Sequence, residues 1–279
     1  MSLYVPPMAT LLYGSPGSGK TPLAVSSFWD WKRQKKIANG KLITFGAEDN
    51  PALRIPEEFR RTEKGTSLRL TSPMLDDTAF LEQFNLVMRK FVWDNQQGNP
   101  LDVLVIDGLS EFDLLFEYTY KGGNESGREN NFAKWNALMG QMFACMMIAT
   151  PAALGCPVIM TARVAEKKDD DPGFLNLEFY PSIRGSFRYQ LSAYFNMVLY
   201  MRTAVGRAAD GKRIVPVHEV QMLQTGGSYT KNQWEHEWIR AGLPDTVTNV
   251  MWPQLWAMLT GAIAVGDTPE TNEKEEEVT

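Results

Sequence analysis

Short runs of apolar residues, each ending at glycine or polar side chains, recur along this chain. Four of them occupy residues 8–13, 41–50, 101–108 and 157–162, and the third reads LDVLVIDG. Consecutive branched or aliphatic residues in runs of this length are typical of strands buried on both faces of a parallel sheet. The pattern therefore predicts an α/β fold with a mostly parallel central sheet.

Segments with helical spacing and a later pair of strands complete the pattern. Helices are predicted over residues 22–36, 78–93 and 131–149, and they should flank the sheet. Residues 194–202 and 214–225 are predicted strands, and an Asp-Gly pair between them suits a hairpin turn. This hairpin is expected to extend the sheet with antiparallel strands towards the C terminus.

Residues 14–21 read GSPGSGKT and complete the pattern G-x-x-x-x-G-K-[ST]. An apolar run precedes them and a helical pattern follows, which is the strand, loop and helix context that this pattern requires. In such a loop, successive backbone N–H groups face an anion, and the helix N terminus adds positive potential. The sequence therefore predicts a site for ATP and Mg²⁺.

Two side chains of this loop have specific expected roles. Lys20 is expected to reach the β and γ phosphates, and the Thr21 hydroxyl is expected to hold Mg²⁺. Pro22 is compatible with a helix start, because its missing N–H has no intrahelical partner in the first turn. The residues predicted to bind the nucleotide are Gly14, Ser15, Pro16, Gly17, Ser18, Gly19, Lys20, Thr21 and Pro22.

Acidic residues stand at the ends of two predicted strands, where ligands of open α/β sheets bind. Asp107 ends one strand and is predicted to hold Mg²⁺ opposite Thr21, with a turn-capping carboxylate as the alternative. Glu48 follows another strand and is the candidate to orient and polarise the water that attacks the γ phosphate. A loop acid that caps the turn before Pro51 is an equally good interpretation of Glu48.

Polar residues also end the strand predicted over residues 157–162. Thr161 is a candidate to lie beside the γ phosphate and sense it, because this strand is expected to adjoin the one that ends at Asp107. Arg163 is a second candidate for that role.

The segments GSPGSGKT, GAED, VLVIDG and VIMTAR follow one another in the order and spacing of RecA-like ATPases. Over roughly residues 5–260, the chain resembles the small bacteriophage RecA-like ATPases of the Sak type, which are associated with single-strand annealing and recombination. The resemblance implies a RecA-like P-loop NTPase fold. It also implies that Glu48 is the catalytic glutamate, Asp107 the Walker B aspartate and Thr161 the sensor.

RecA-like motors assemble into rings or filaments, and a K-x-R motif near the last strands crosses to a neighbouring subunit's nucleotide. The corresponding stretch here is TKNQ at residues 230–233, in which Gln233 replaces the arginine. The resemblance therefore implies self-association, with Lys231 and Arg240 as the candidate trans-acting residues.

The resemblance also implies two DNA-binding loops, beyond the Walker B and sensor strands. Long polar segments occupy residues 118–132 and 164–180. Single-strand binding needs cations along the backbone and aromatic faces for the bases, and both occur in these segments. Ordinary surface loops are the alternative, and three consecutive aspartates at 169–171 oppose phosphate. The candidate DNA-binding residues are Lys121, Arg128, Lys167 and Lys168.

The net charge of −5 over 279 residues belongs to one end of the chain. Residues 266–279 carry six acidic residues and one lysine, so residues 1–265 are neutral overall. A charged run without aromatic residues cannot bury enough apolar surface to order itself. We therefore expect an ATPase domain over 1–265 and a disordered acidic tail over 266–279. The tail either keeps the protein soluble or competes with DNA and recruits a partner.

Composition excludes several classes of protein. A hydrophobic content of 44% and a charged content of 22% are ordinary for a folded chain. The longest apolar stretch, residues 137–160, is interrupted by glycine, proline and polar residues, so no membrane span is expected, and the protein is predicted to be cytoplasmic. Cys145 and Cys156 lack a CxxC pairing, so buried free thiols are expected.

Together these features predict a Mg-ATP-dependent ATPase that acts on single-stranded DNA in phage recombination or annealing, in the cytoplasm of the host. Expected partners are single-stranded DNA, other copies of the chain, and a single-strand-binding or replication protein. The alternative is a nucleotide-gated adaptor or loader for a replication or packaging protein. A small-molecule kinase also uses such a loop but needs an arginine-rich lid, and no arginine cluster lies near this loop in the sequence.

Overall fold

The computed structural model describes residues 8–30, 35–45, 67–70, 77–114, 140, 143–166, 179–183, 193–207, 213–224, 227–233, 242 and 244–259. The strands are β1 Ala9–Gly14, β2 Trp29–Asp30, β3 Lys35–Lys36, β4 Gly40–Phe45, β5 Ser67–Leu70, β6 Val103–Asp107, β7 Val158–Glu166, β8 Phe179–Pro181, β9 Met197–Arg207, β10 Ile214–Gln221, β11 Lys231–Asn232 and β12 Thr246–Thr248. The helices are α1 Lys20–Val25, α2 Asp77–Gln96, α3 Pro151–Leu154 and α4 Trp252–Leu259. Residues 109–114 and 143–148 are also helical.

The central sheet is mixed and mostly parallel. Its strand order is β12-β10-β9-β1-β7-β6-β4-β5. The pairs from β9 across to β5 are all parallel, whereas β10 pairs antiparallel with both β9 and β12. This arrangement confirms the predicted α/β architecture. It also agrees with the expected antiparallel strands towards the C terminus.

The burial of strand β6 on both faces explains why its sequence predicts a central parallel strand. Leu104 and Ile106 belong to the core on one side of the sheet, and Val103 and Val105 belong to the core on the other. All four side chains are buried. A central parallel strand is covered on both faces, which is why it reads as a continuous apolar run.

Helices cover both faces of the sheet. Phe84 and Met88 of α2 pack in the first core, while Leu23 of α1 and Leu255 of α4 pack in the second. The helix predicted over 78–93 is α2, which extends it at both ends. Of the helix predicted over 131–149, the structure describes residue 140 and residues 143–149.

The helix predicted over residues 22–36 is wrong beyond its first turns. Helix α1 ends at Val25, a 3₁₀ turn follows, and β2 then pairs antiparallel with β3. The Ser26 hydroxyl donates to the Leu23 carbonyl at 2.6 Å, and it accepts from the Trp252 N–H of α4 at 2.8 Å. Serine hydroxyls that bind helix carbonyls compete with the helical ladder. The contact with α4 therefore sets the end of α1.

Both cysteines are buried free thiols, as predicted. Burial raises the pKa of Cys145 to about 11 and that of Cys156 to about 12. No helix in the described part of the chain is both long enough and apolar enough to span a bilayer. The acidic segment 266–279 and the domain boundary at 265 lie outside the described residues and stay predictions.

Candidate nucleotide-binding site

The phosphate loop connects the end of β1 to the start of α1. Gly17 and Gly19 have φ values of 79° and 89°, which lie in the left-handed region that side chains disfavour. Gly19 also directly precedes α1, whose first N–H groups have no helical acceptor. Glycine therefore stands at 17 and 19 because the loop backbone adopts conformations there that other residues disfavour.

Lys20 lies inside the loop. Its ammonium donates to the carbonyl oxygens of Gly14 and Ser15 at 2.9 and 2.8 Å, and to the Ser18 hydroxyl at 3.3 Å. Burial lowers the pKa of Lys20 to about 8, although the negative charge of Asp107 opposes this shift. The cation is therefore held in a setting where an anionic phosphate stabilises its charged form.

Asp107 at the end of β6 receives hydrogen bonds from two threonines. Thr21 donates to its Oδ2 at 2.8 Å, and Thr161 of β7 donates to its Oδ1 at 2.5 Å. The Thr161 oxygen also accepts from the Gly108 N–H at 3.0 Å. The register, in which Asp107 pairs with Thr161, brings these side chains together. The predicted adjacency of the sensor strand and the Walker B strand is therefore observed.

The oxygens of this cluster fit a magnesium ion. Burial raises the pKa of Asp107, against the hydrogen bonds from Thr161 and Thr21 and the charge of Lys20. A buried carboxylate is stabilised by a cation, and Mg²⁺ prefers hard oxygen ligands such as a carboxylate and a threonine hydroxyl. Thr21 and Asp107 are the residues that would hold the ion, as the sequence predicts.

A charged pair stands beside this cluster, and sequence reasoning named its arginine, Arg163, but missed its partner, Glu111. The guanidinium of Arg163, at the outer part of β7, forms an ion pair with the carboxylate of Glu111. Glu111 lies four residues after Asp107, in the first turn of the helical residues 109–114. An acid in the first turn after the Walker B strand was the available signal for Glu111.

A second missed feature is the packing of the β9–β10 hairpin against the phosphate loop. Thr203 donates to the Gly17 carbonyl at 3.3 Å, and the imidazole of His218 lies beside Gly19. The Nδ1 atom of His218 is buried without a hydrogen-bond partner among the described residues. The His218 N–H donates to Asn249 Oδ1 at 3.0 Å, and the Asn249 N–H donates back to the His218 carbonyl at 2.8 Å. No local sequence signal points to His218, because the contact depends on the sheet order.

The structure brings together the loop residues 14–22, Asp107 and Thr161. Lys231 lies on β11, and its ammonium donates to the Phe195 carbonyl at 2.8 Å, where burial lowers its pKa. Its trans-acting role stays a prediction. The predicted site residues that lie outside the described residues are Glu48, Lys121, Arg128, Lys167, Lys168 and Arg240.

A phosphate loop, a Thr-Asp pair suited to magnesium and a hydroxyl on the adjoining strand, all on a mostly parallel sheet, define a P-loop ATPase. The AAA domain family matches residues 7–234, and the chain belongs to this family. Members of this family are generally ATPases, so family membership supports nucleotide binding and hydrolysis as the general activity of this chain. A comparison with curated proteins finds no match.

Proposed function

We propose that this protein is a RecA-like ATPase of the phage Sak type, which hydrolyses Mg-ATP and couples hydrolysis to work on single-stranded DNA in recombination or annealing. The observation that carries the proposal is the hydrogen-bonded cluster of Thr21, Asp107 and Thr161, which links the phosphate loop to two neighbouring strands. A change at the γ phosphate can therefore be transmitted through Thr161 to β7 and to the segment that follows it.

In this mechanism the loop N–H groups and Lys20 bind the phosphates, while Thr21 and Asp107 bind the metal. A Mg²⁺ ion held by Thr21 and Asp107 would neutralise the negative charge that develops on the phosphates. Glu48 is the proposed residue that orients the attacking water, as the resemblance implies. Thr161 keeps the Asp107 carboxylate oriented through its 2.5 Å hydrogen bond.

Support for single-stranded DNA comes from the sequence and from where the described elements end. The helical residues 109–114 follow Asp107, and β7 continues past Thr161 to Glu166. Along the chain, the predicted loop 118–132 begins eleven residues after Asp107. The predicted loop 164–180 begins three residues after Thr161, but its first three residues belong to β7 and its last two to β8. This nearness in sequence supports the proposal that they couple the state of the nucleotide to bound DNA.

ATP turnover measured with and without single-stranded DNA tests this function. Wild-type protein should hydrolyse ATP and be stimulated by DNA, whereas Lys20→Ala should lose turnover. The matched control is Lys90→Ala, since Lys90 is an exposed lysine of α2 that pairs with Asp94. Unchanged turnover in Lys20→Ala would overturn the nucleotide site. If DNA of any length leaves turnover and assembly state unchanged, coupling to DNA is refuted.

The proposed DNA residues require their own variants. The pairs Lys121→Ala with Arg128→Ala, and Lys167→Ala with Lys168→Ala, should reduce DNA stimulation and leave the turnover without DNA unchanged. Equal stimulation in wild type and both variants would assign these segments to ordinary surface loops.

Self-association is part of the proposal. Electron microscopy with a non-hydrolysable ATP analogue should show rings or filaments, with single-stranded DNA shifting their number or length. Mixing Lys231→Ala or Arg240→Ala subunits with Lys20→Ala subunits tests action across a subunit boundary. If the residue acts in trans, the mixture regains turnover, because the intact loop of one subunit meets the intact trans-acting residue of its Lys20→Ala neighbour. If the residue acts within its own subunit, the mixture stays inactive.

The acidic segment 266–279 supports a second candidate function, a nucleotide-gated adaptor or loader for a replication or packaging protein. In that case the segment is a docking site for the partner. Pull-down of a single-strand-binding or replication protein should then require residues 266–279 and depend on the nucleotide. Capture that is independent of both would remove this alternative.

A further inference from the structure

The ion pair of Glu111 and Arg163 joins two elements that both pass beside the nucleotide cluster. Glu111 follows β6 by one turn of helix, and Arg163 stands two residues beyond Thr161 on β7. Residues two apart on a strand project to the same face. In the sheet, Arg163 pairs with Gly14, the first residue of the phosphate loop. The guanidinium therefore belongs to the loop side of the site, next to the residues that bind phosphate.

The backbone of Arg163 is held by hydrogen bonds at both its N–H and its carbonyl group. The Arg163 N–H donates to the Ser110 hydroxyl at 2.9 Å, and the Ser182 N–H donates to the Arg163 carbonyl at 2.7 Å. The Ser110 hydroxyl in turn donates to the Ser182 carbonyl at 2.7 Å. The Arg163 side chain is 48% exposed, compared with 23% for Glu111. A partly exposed guanidinium on a hydrogen-bonded backbone can therefore change partners.

Helix capping does not account for Glu111. An acid in the third position of a helix commonly accepts from the N–H of the capping residue, which here is Gly108. That N–H donates to Thr161 instead. The Glu111 carboxylate still lies close to this point, because a Cβ on Gly108 would approach its Oε2 within 2.9 Å. A partly exposed ion pair also adds little to stability.

The charges of this pair reach the phosphate-binding lysine. Besides burial and Asp107, Glu111 raises the pKa of Lys20 and Arg163 lowers it. Glu111 also raises the pKa of Asp107. The cations of Lys20 and Arg163 and the carboxylates of Asp107 and Glu111 therefore lie near one another at this edge of the sheet. The charges of the Glu111–Arg163 pair act on Lys20, and that of Glu111 also acts on Asp107.

We propose that Glu111 is a positioning residue for Arg163, which the sequence already makes a candidate to lie beside the γ phosphate, and that their ion pair tunes the preference of the site for a triphosphate. This inference rests on the proposed ATP site at Lys20. Glu111 holds the guanidinium beside the loop until the third phosphate displaces the carboxylate. A diphosphate does not reach Arg163, and the pair stays closed. The strength of the Glu111–Arg163 pair therefore sets how strongly the site prefers the triphosphate over the diphosphate.

Affinities for a non-hydrolysable ATP analogue and for ADP, both with Mg²⁺, test the proposal. Glu111→Gln should tighten analogue binding by roughly two- to fivefold, the range set by a partly exposed ion pair, and leave ADP binding unchanged. Arg163→Gln should weaken analogue binding by about tenfold or more and also spare ADP. Glu111→Asp, which keeps the charge, should retain most of the wild-type preference.

The double variant separates positioning from simple repulsion between Glu111 and phosphate. If Glu111 acts through Arg163, the gain from Glu111→Gln disappears in the Arg163→Gln background. A gain that persists in full there would overturn the proposal, as would equal changes for the analogue and ADP. The matched control is Glu219→Gln, which breaks an Arg202–Glu219 pair of similar exposure at 2.6 Å. It should leave both affinities unchanged.

These outcomes are distinct from failure of the proposed function. If wild type and Lys20→Ala bind the analogue equally, the ATP site itself is wrong. If binding depends on Lys20 but the preference for the analogue over ADP does not change in the Glu111 and Arg163 variants, only this inference fails. Melting temperatures of all variants identify any loss of folding before the affinities are compared.

Discussion

The Thr161 hydroxyl donates a 2.5 Å hydrogen bond to Oδ1 of Asp107, across the boundary between β7 and β6. The same oxygen accepts from the Gly108 N–H, so both hydrogen-bonding functions of one hydroxyl are used at the end of the Walker B strand. Thr21 occupies the other oxygen of the carboxylate. Any movement of the Asp107 carboxylate would therefore also displace the Thr161 side chain on β7.

Replacing Thr161 with valine tests this relationship. The change removes one donor from a buried carboxylate, which costs about 1–3 kcal/mol. We expect kcat to fall about tenfold or more, while the Kd for ATP changes less. Steady-state kinetics and binding measured together separate the two effects.

The controls for Thr161→Val lie in the same sheet. The Thr10 hydroxyl on β1 is buried and has no hydrogen-bond partner among the described residues, so Thr10→Val removes a hydroxyl without removing a bond. It should keep wild-type turnover. Thr161→Ser keeps the hydroxyl and should restore most activity. Equal losses in the two valine variants would show that the hydrogen bond itself is unimportant.

ATP affinity should fall as pH rises above about 8, because burial lowers the pKa of Lys20 to about 8. Below this pH the ammonium is already charged, so affinity is constant. Above it the free protein loses the proton, while bound triphosphate favours the charged form, so binding must take up a proton. At pH values well above this pKa, the ATP affinity should fall by about tenfold per pH unit.

Calorimetric titrations in buffers of different ionisation enthalpy measure this proton uptake. Lys20→Arg remains charged over the whole range, so its affinity, although weaker, should not change between pH 7 and 9.5 by this mechanism. A flat profile in the wild type, or the same slope in Lys20→Arg, would assign the titration to another group.

Gly19→Ala should weaken ATP binding for two separable reasons. Its φ of 89° costs roughly 1–2 kcal/mol for a residue with a side chain, and the new Cβ would lie 3.0 Å from Cγ of His218. Adding His218→Ala should recover the steric part of the loss. Nucleotide titration of the single and double variants measures it.

The control for backbone strain is Gly98→Ala. Gly98 has a φ of 77°, and a Cβ there would meet nothing within 4 Å. It should lower stability slightly and leave ATP affinity unchanged. If His218→Ala recovers nothing in the Gly19→Ala background, the packing of the hairpin against the loop does not limit binding.

Deleting residues 266–279 should strengthen DNA binding at low salt more than at high salt. The segment carries the whole net charge of −5, and salt screens exposed charges. DNA affinity across a salt series measures the effect. A segment of equal length with the acids replaced by serine and glycine should behave like the deletion. An unchanged salt profile would leave only a role in solubility.

The sequence by itself determined the phosphate loop and the parallel strands that carry the site, and it predicted the residues suited to Mg²⁺, because each depends on local chemistry. Gly17 and Gly19 mark backbone that only glycine adopts readily, and the run through Asp107 marks a strand covered on both faces. Since parallel strands end at one edge, the order of motifs along the chain was sufficient to bring Lys20, Asp107 and Thr161 together.

The helix prediction from local pattern was wrong where a distant part of the chain forms hydrogen bonds with the same polar groups. The helical spacing in residues 22–36 is real, but the Ser26 hydroxyl binds both the Leu23 carbonyl and the Trp252 N–H. Helix propensity is a weak preference, and tertiary contacts override it. The end of α1 was therefore decided by α4, more than 200 residues away in sequence.

Only the tertiary structure decided which charges and side chains surround the phosphate loop. Arg163 meets Glu111 because β7 lies between β1 and β6, and His218 meets Gly19 because the β9–β10 hairpin adds beside β1. Neither contact has a fixed spacing in the sequence, since strand order, not chain order, sets the distance. The physical reason is that sheet pairing joins residues by register, which a single sequence does not encode locally.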